Sequence, residues 1–189
     1  MLFGVVLIAC AVGLLLYNNN ENLRAQESSA ELVKSIREEI AQKETAEASS
    51  DPFDEKMTVK EIDGYGYIGY ISVPALDIDL PVMSDWDYDR LKISPCRYYG
   101  STKTDNLVIA AQNYDSHFGY LGEIEPGDPV IFTDMDGVVY SYKADSVELL
   151  MPTDVDKVKD SGSDLILYTC TYSRTKRIVV RCSYAKAVS

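Results

Sequence analysis

The chain has 189 residues, a formal net charge of −12 and 46% hydrophobic residues, which bounds it to one globular domain with appendages. An acidic surface of a single sign excludes the basic footprint that nucleic-acid binding requires, so no nucleic-acid partner is expected. Fourteen tyrosines in a chain rich in valine and isoleucine lean the fold toward β structure.

The chain opens on an apolar run, "LFGVVLIACAVGLLLY", at residues 2–17. Sixteen helical residues reach ~24 Å at about 1.5 Å per residue, a little short of the ~30 Å hydrocarbon core. Residues 1–17 are expected to be a membrane anchor rather than a cleaved signal, because no small-x-small site followed by a polar start is evident. No Lys or Arg precedes the run, which is unusual for either. "LIAC" (Leu7–Cys10) resembles a lipobox, but the apolar run continues past Cys10 where a mature lipoprotein turns polar. Residues 18–62 are polar and Glu-rich and are expected to form a helical stem and linker. Ser29 is a plausible helix start, and Val33, Ile36 and Ile40 fall at helical spacing. Three apolar positions make no core, so this helix is either solvated or weakly docked.

The texture changes after Gly64, and residues 63–189 are expected to be the folded domain. "YGYIGYISVPALDIDLPVM" carries short β runs broken at Pro74 and Pro81, which mark strand ends or edges because proline has no N–H to give a ladder. "SDWDYDRLKIS" (84–94) predicts a short helix, "NLVIAAQ" (106–112) a buried strand, and "HFGYLGEI" (117–124) a helical turn. "DPVIFTDMDGVVYSYKADSVELL" (128–150) predicts three strands, with a hairpin turn at Asp136–Gly137. Asp134 and Asp136 lack the further oxygen ligands of a calcium loop, which favours a plain turn. "DLILYTC" and "RIVVRC" complete seven or eight short strands, the pattern of a small β-barrel or sandwich.

The last two runs form a hairpin with a thiol at its mouth. Side chains alternate along a strand, so Ile166, Tyr168 and Cys170 share one face. If the arms pair around 171–176, Cys170 lies opposite Arg177, with Cβ atoms about 4.5–5.5 Å apart. A guanidinium there stabilises a thiolate and an oxyanion formed when sulfur attacks a carbonyl. A buried structural cysteine beside a surface arginine fits the same placement, and hairpin geometry alone leaves both open.

"TCTY" followed by "TKRIVV" resembles the active-site hairpin of sortases, the cell-wall cysteine transpeptidases of Gram-positive bacteria. "YIGYISVPALDIDLPVM", "NLVIAAQNYDSHFG" and "GDPVIFTDMDGVVYSY" resemble sortase segments in the same order, over about residues 63–186, most closely those of class B-like and class D-like members. Leu167 departs from the family's Thr-x-Thr-Cys pattern. The resemblance implies an eight-stranded β-barrel with short helices, preceded by an N-terminal membrane helix and stem, with the catalytic domain outside the cell. It implies attack of Cys170 on the Thr–Gly or similar bond of an LPXTG-like C-terminal sorting signal. The acyl group then passes to an amine of a cell-wall precursor or a pilin. No cofactor is implied. Arg177 takes the oxyanion role; Asn113, Tyr114, Thr169 and Tyr168 are placed at the substrate groove, Thr169 packing or hydrogen-bonding beside the nucleophile. The acidic segment 153–163 is expected to wall that groove.

One residue departs from this pattern. Where sortases carry their general acid–base histidine, the chain reads "IAAQNY", with Gln112 in that place. Imidazole titrates near neutral pH and serves both the departing and the incoming amine; a carboxamide orients by hydrogen bonding and does not titrate. Three readings follow: Gln112 is an introduced substitution that traps or inactivates the enzyme, the natural residue of a binding or scaffold module, or a sign that His117, the single histidine, substitutes as acid. A packing or capping role for His117 is the simpler expectation.

Of the four cysteines, Cys10 falls in the apolar run and Cys170 must be free to react. Cys96 and Cys182 are expected to be buried free thiols in preference to a disulfide. No His/Cys/Asp cluster has metal-ligand spacing, so no metal site is expected.

Overall fold

The computed structural model describes residues 29–42, 56–154, 156–159 and 161–185, with isolated positions nearer the N-terminus. Most of the expected anchor at 1–17 and most of the linker lie outside the described residues. Among the described residues no helix is long and apolar enough to cross a membrane.

Nine strands follow in chain order: β1 (Lys60–Ile62), β2 (Tyr65–Val73), β3 (Ile78–Met83), β4 (Cys96–Tyr99), β5 (Leu107–Ala110), β6 (Pro129–Asp134), β7 (Val139–Leu150), β8 (Leu165–Cys170) and β9 (Arg177–Tyr184). Their lateral order is β1-β2-β3-β4-β5-β8-β9-β7-β6, and β6 returns to pair with β2. That pairing closes an eight-stranded barrel from β2 to β9, with β1 as a short flap on β2. The interior is filled by inward residues of successive strands, among them Ile71, Val82, Leu107, Phe132, Leu165, Leu167 and Val180.

The closure depends on Gly69. It sits at the register shift in β2, opposite Asp134 of β6. Its φ is +145°, and a Cβ there would meet the Thr133 carbonyl oxygen at 2.0 Å. The shift also resets the pleat: Ile68, Ile71 and Val73 all reach the interior, while Tyr67 and Tyr70 pack on the outer face. A bulge is the device that allows this change of parity within one strand.

Several expectations are corrected in detail. β4 and β1 had no expected strand, because "CRYY" and "KEI" are too short and too polar to stand out. The three strands expected over 128–150 are two, since β7 is a continuous twelve-residue strand with a bulge between Ala144 and Ser146. The helix expected over 84–94 is confined to α2 (Arg90–Ile93), the stem helix below being α1. Residues 85–89 form the turn before it, where Asp87 accepts the N–H groups of Asp89 and Arg90 at 2.8 Å. At 117–124 only a 3₁₀ turn, Leu121–Glu123, is helical. Pro81 lies inside β3, on a stretch where the far side has only the Met83–Cys96 pair. The missing N–H therefore costs no ladder bond, and the Pro81 carbonyl accepts the buried Ser94 hydroxyl at 2.6 Å. At the β6–β7 turn, Asp134 uses its carboxylate within the turn, accepting the N–H groups of Asp136 and Val138 at 2.9 Å and the Tyr140 hydroxyl at 3.1 Å.

The stem helix, residues 29–42 and here α1, docks on the barrel. Val33 and Ile36 are buried, and Ile36 joins Tyr67, Met83, Leu91 and Cys96 in a cluster outside the barrel. Arg37 binds Asp79 at 2.7 Å and stacks over the Tyr70 ring at 4.9 Å; Lys60 pairs with Glu39. Burying an isoleucine stabilises by roughly 1.5–3 kcal/mol, more than exposed ion pairs of about 0.2–1 kcal/mol.

Candidate active site

Three neighbouring strands set the site. β8 and β9 pair antiparallel with Cys170 opposite Arg177, as the hairpin predicts. On the other side β8 runs parallel to β5, with Ala110 beside Tyr168. Gln112 follows two residues past the end of β5, on the side of β8 away from Arg177. Gln112, Cys170 and Arg177 all line a single cleft of about 560 Å³ on the barrel's outer face.

The two segments stay tied past the end of the ladder through Thr169. Its buried hydroxyl donates to the Ala111 carbonyl at 2.9 Å, and the Ala111 N–H donates to the Tyr168 carbonyl at 3.2 Å. The residue before the nucleophile is thereby tied to the residue before Gln112. On the far side Thr171 closes the connecting loop: its N–H donates to the Lys176 carbonyl at 3.0 Å, and the Arg174 N–H donates to the Thr171 carbonyl at 2.8 Å. Arg174 takes the left-handed conformation, φ 56°, and lines the cleft as a second guanidinium.

Cys170 is half-buried and free. Cys96 and Cys182 are fully buried and unbonded, in separate apolar clusters. Burial pushes both thiols up to about 12, so near neutral pH neither offers a thiolate. Burial also raises the Tyr168 hydroxyl, with Tyr98 adding to the shift and the Arg177 charge pulling against it.

Tyr168, Thr169 and Tyr114 line the cleft, and Asn113 does not. His117 does not line it either. It is 1% exposed, neither ring nitrogen has a hydrogen-bond partner, and Tyr114 packs over it at 5.5 Å. Burial lowers it to about 4, so it stands neutral at physiological pH. A turn separates it from Gln112, whose carbonyl accepts the Phe118 N–H at 3.1 Å. That placement gives His117 a packing role.

The segment before β8 forms one wall, through Leu150, Met151, Asp154 and Val158. Val158, in α3 (Asp156–Lys159), packs with Val108, Ile166 and Val179 on the barrel's outer face. Arg181 fastens the same segment by donating to the Lys157 carbonyl and to Glu148, both at 3.0 Å. The opposite wall went unread in the sequence. Tyr88, Trp86, Tyr98 and Tyr168 pack in succession, edge-on or tilted, with ring centroids 5.6, 5.2 and 5.3 Å apart. The alternation of Asp with Trp and Tyr in "SDWDYD" was its only signal, and it fitted a solvated helix equally well.

Among the described residues no group of His, Cys, Asp or Glu is arranged to hold a metal. A thiol in a cleft beside a guanidinium, at the end of a barrel strand, is the equipment of a cysteine acyl-transfer site. The Sortase domain family model matches residues 71–185, and the chain belongs to the sortase family, whose members are cysteine transpeptidases. No curated protein matches the sequence. Solved structures share its fold at low identity. Sortase C-3 from Streptococcus pneumoniae is 22% identical with a TM-score of 0.58, covering 86% of this chain and 84% of that one. Sortase A from Corynebacterium diphtheriae is 20% identical with a TM-score of 0.59, over 94% and 96%. A Clostridium perfringens sortase D5 transpeptidase is 14% identical with a TM-score of 0.65, over 84% and 99%. The likeness is thus spread over sortases named A, C and D, and at these identities it carries the fold alone.

Proposed function

We propose that the chain is a sortase-type transpeptidase acting through Cys170 on an LPXTG-like sorting signal, with turnover limited by Gln112. The observation that carries this is that Cys170 pairs with Arg177 across β8 and β9, and that Gln112, just past the end of β5, lines the same cleft. In this reading the Cys170 sulfur adds to the scissile carbonyl, and Arg177 donates to the resulting oxyanion. The intermediate collapses when the C–N bond breaks, leaving a thioester and an amine that needs a proton. An amine of a cell-wall precursor or pilin then adds to the thioester, the C–S bond breaks, and the proton lost by the amine returns to sulfur. Gln112 can donate a hydrogen bond to either amine but holds no proton to exchange. Amine departure and amine attack are therefore the slow steps, and addition of sulfur suffers less.

The run at 2–17 serves as the membrane anchor in this proposal, with the barrel outside the cell where its substrates are. A second reading, an inactive sortase-fold module that binds sorting signals, is favoured by Gln112 alone. The two are separated by Gln112→His. As an enzyme lacking only its imidazole, the variant gains about 10²–10⁴-fold in cleavage of a sorting-signal peptide, measured by peptide cleavage and amine transfer, and His117→Ala leaves that gain in place. A folded Gln112→His protein with no turnover establishes the binding module instead.

A further inference from the structure

A second cavity, of about 620 Å³, lies between the stem helix α1 and the barrel. Its walls are the first turns of α1, the β2–β3 connection, and residues 115–120. Two of its side chains are anomalous. Ser29 is 3% exposed, and its hydroxyl has no hydrogen-bond partner; the Ser116 hydroxyl is likewise buried and unpartnered. Buried polar groups are normally paired, and an unpaired one costs about 1–3 kcal/mol. Two such hydroxyls on one cavity mark a place where something else supplies their hydrogen bonds.

The charges on the walls narrow what that is. Arg37 is held by Asp79 at 2.7 Å, and Lys34 lies 3.9 Å from Glu38 on the exposed face of α1. Asp77 and Asp115 also line the cavity and have no ion pair among the described residues; Asp115 accepts the Tyr172 hydroxyl at 3.2 Å. Two carboxylates without an ion pair among the described residues and two unpartnered hydroxyls suit a ligand that is positively charged and rich in N–H and C=O groups: a peptide bearing a primary amine. The net charge of −12 draws such a ligand to the surface.

The cavity adjoins the cleft. Tyr114 lines the cleft and the next residue, Asp115, lines the cavity, so the two spaces are lined by consecutive residues at the start of one turn. Asp115 also holds Tyr172, two residues past Cys170. We propose that this cavity seats the body of the amine-bearing second substrate, the acceptor of the acyl group; this rests on the transpeptidase reading above. The acceptor lies between α1 and the barrel with its amine carried over the 114–116 ridge to the thioester. There the C–N bond forms, the C–S bond breaks, one ammonium proton is lost to solvent and a second passes to the sulfur. The stem is then part of the acceptor site as well as a tether.

Triglycine is the probe. The Cys170→Ala full chain, which forms no thioester, binds triglycine in calorimetry, and Ser116→Leu, which fills the cavity, weakens that binding about tenfold or more, or by at least ~1.4 kcal/mol. Asp115→Asn removes the charge while keeping an oxygen for Tyr172, and weakens it similarly; it guards against a Ser116→Leu protein that fails to fold. With Gln112→His and a sorting-signal peptide as donor, both substitutions lower the ratio of transfer product to hydrolysis product. Triglycine binding unchanged in both variants overturns the proposal. If Gln112→His neither transfers nor hydrolyses, the transpeptidase reading fails, and the calorimetric arm alone decides the cavity.

Discussion

Cys170, Cys96 and Cys182 are one side chain in three surroundings, and their surroundings predict their chemistry. Cys96 and Cys182, pushed up to about 12 by burial, are thiols at pH 8 and out of reach of reagent. Iodoacetamide on the native protein, mapped by mass spectrometry, is expected to modify Cys170 and spare both; modification of Cys96 or Cys182 at a comparable rate removes the assignment of the nucleophile. Arg177 is tested by Arg177→Lys in the Gln112→His background. Lysine keeps the charge and loses the planar fork, and loss of an oxyanion donor costs about 10²–10³-fold in rate. Near-normal turnover by the lysine variant shows that Arg177 only sets the local field. His117 predicts a pH dependence of stability. Its ordinary value near 6.5 is lowered by burial to about 4 in the folded state, so the unfolded chain binds a proton that the folded one refuses. The contribution is intact above about pH 6.5 and is lost as pH falls toward 4, up to roughly 3 kcal/mol in all. Urea unfolding at pH 7 and pH 5 is expected to show a smaller drop for His117→Phe than for the parent protein.

Among the elements, the link between β5 and β8 matters most for the site. Thr169→Val keeps the shape and removes the hydroxyl from the Ala111 carbonyl. It is expected to cost about 1–3 kcal/mol in denaturant unfolding and to slow the Gln112→His enzyme, because the segment bearing residue 112 loses its tie to β8. A stability loss with unchanged turnover shows that the bond serves the fold alone. The sequence was informative about the β8–β9 hairpin because its signals are local: two apolar runs, a six-residue loop, and residues that face each other by counting. It was uninformative about the β5–β8 contact, since nothing within either segment names its lateral partner. Gln112 reached the site on family resemblance; the parallel register of Ala110 with Tyr168 supplies the physical reason. Trp86, Tyr88 and Arg174 were missed for related causes. The first two stand on a turn held by Asp87 rather than on the expected helix. Arg174 turns on a left-handed backbone that loop composition does not announce.

At the scale of the molecule, closure and docking are the two testable features. Gly69→Ala sets a methyl group against the Thr133 carbonyl where β2 meets β6, and overpacking of this kind costs about 1–3 kcal/mol or more. Ile36→Ala removes the buried tooth of the stem helix and is expected to cost about 2–4 kcal/mol if α1 unfolds with the barrel. A cost near zero shows that the stem is a separate, weakly held unit, and with it the cavity beside Ser29 loses its lid.

The parallel β5–β8 contact also has a consequence in time. Thr169 and Ala111 are 58 residues apart in the chain, and β2 meets β6 across a comparable gap. Ends so distant must find each other before any contact rewards the search, which places folds of this kind among the millisecond-to-second folders. The β8–β9 hairpin closes only a six-residue loop, so Cys170 can meet Arg177 while residue 112 is still elsewhere. A chain in which that hairpin pairs first therefore carries an exposed thiol beside a guanidinium before it carries a cleft. Its vulnerability to oxidants and stray electrophiles is greatest in that interval and ends when the fifth and eighth strands meet.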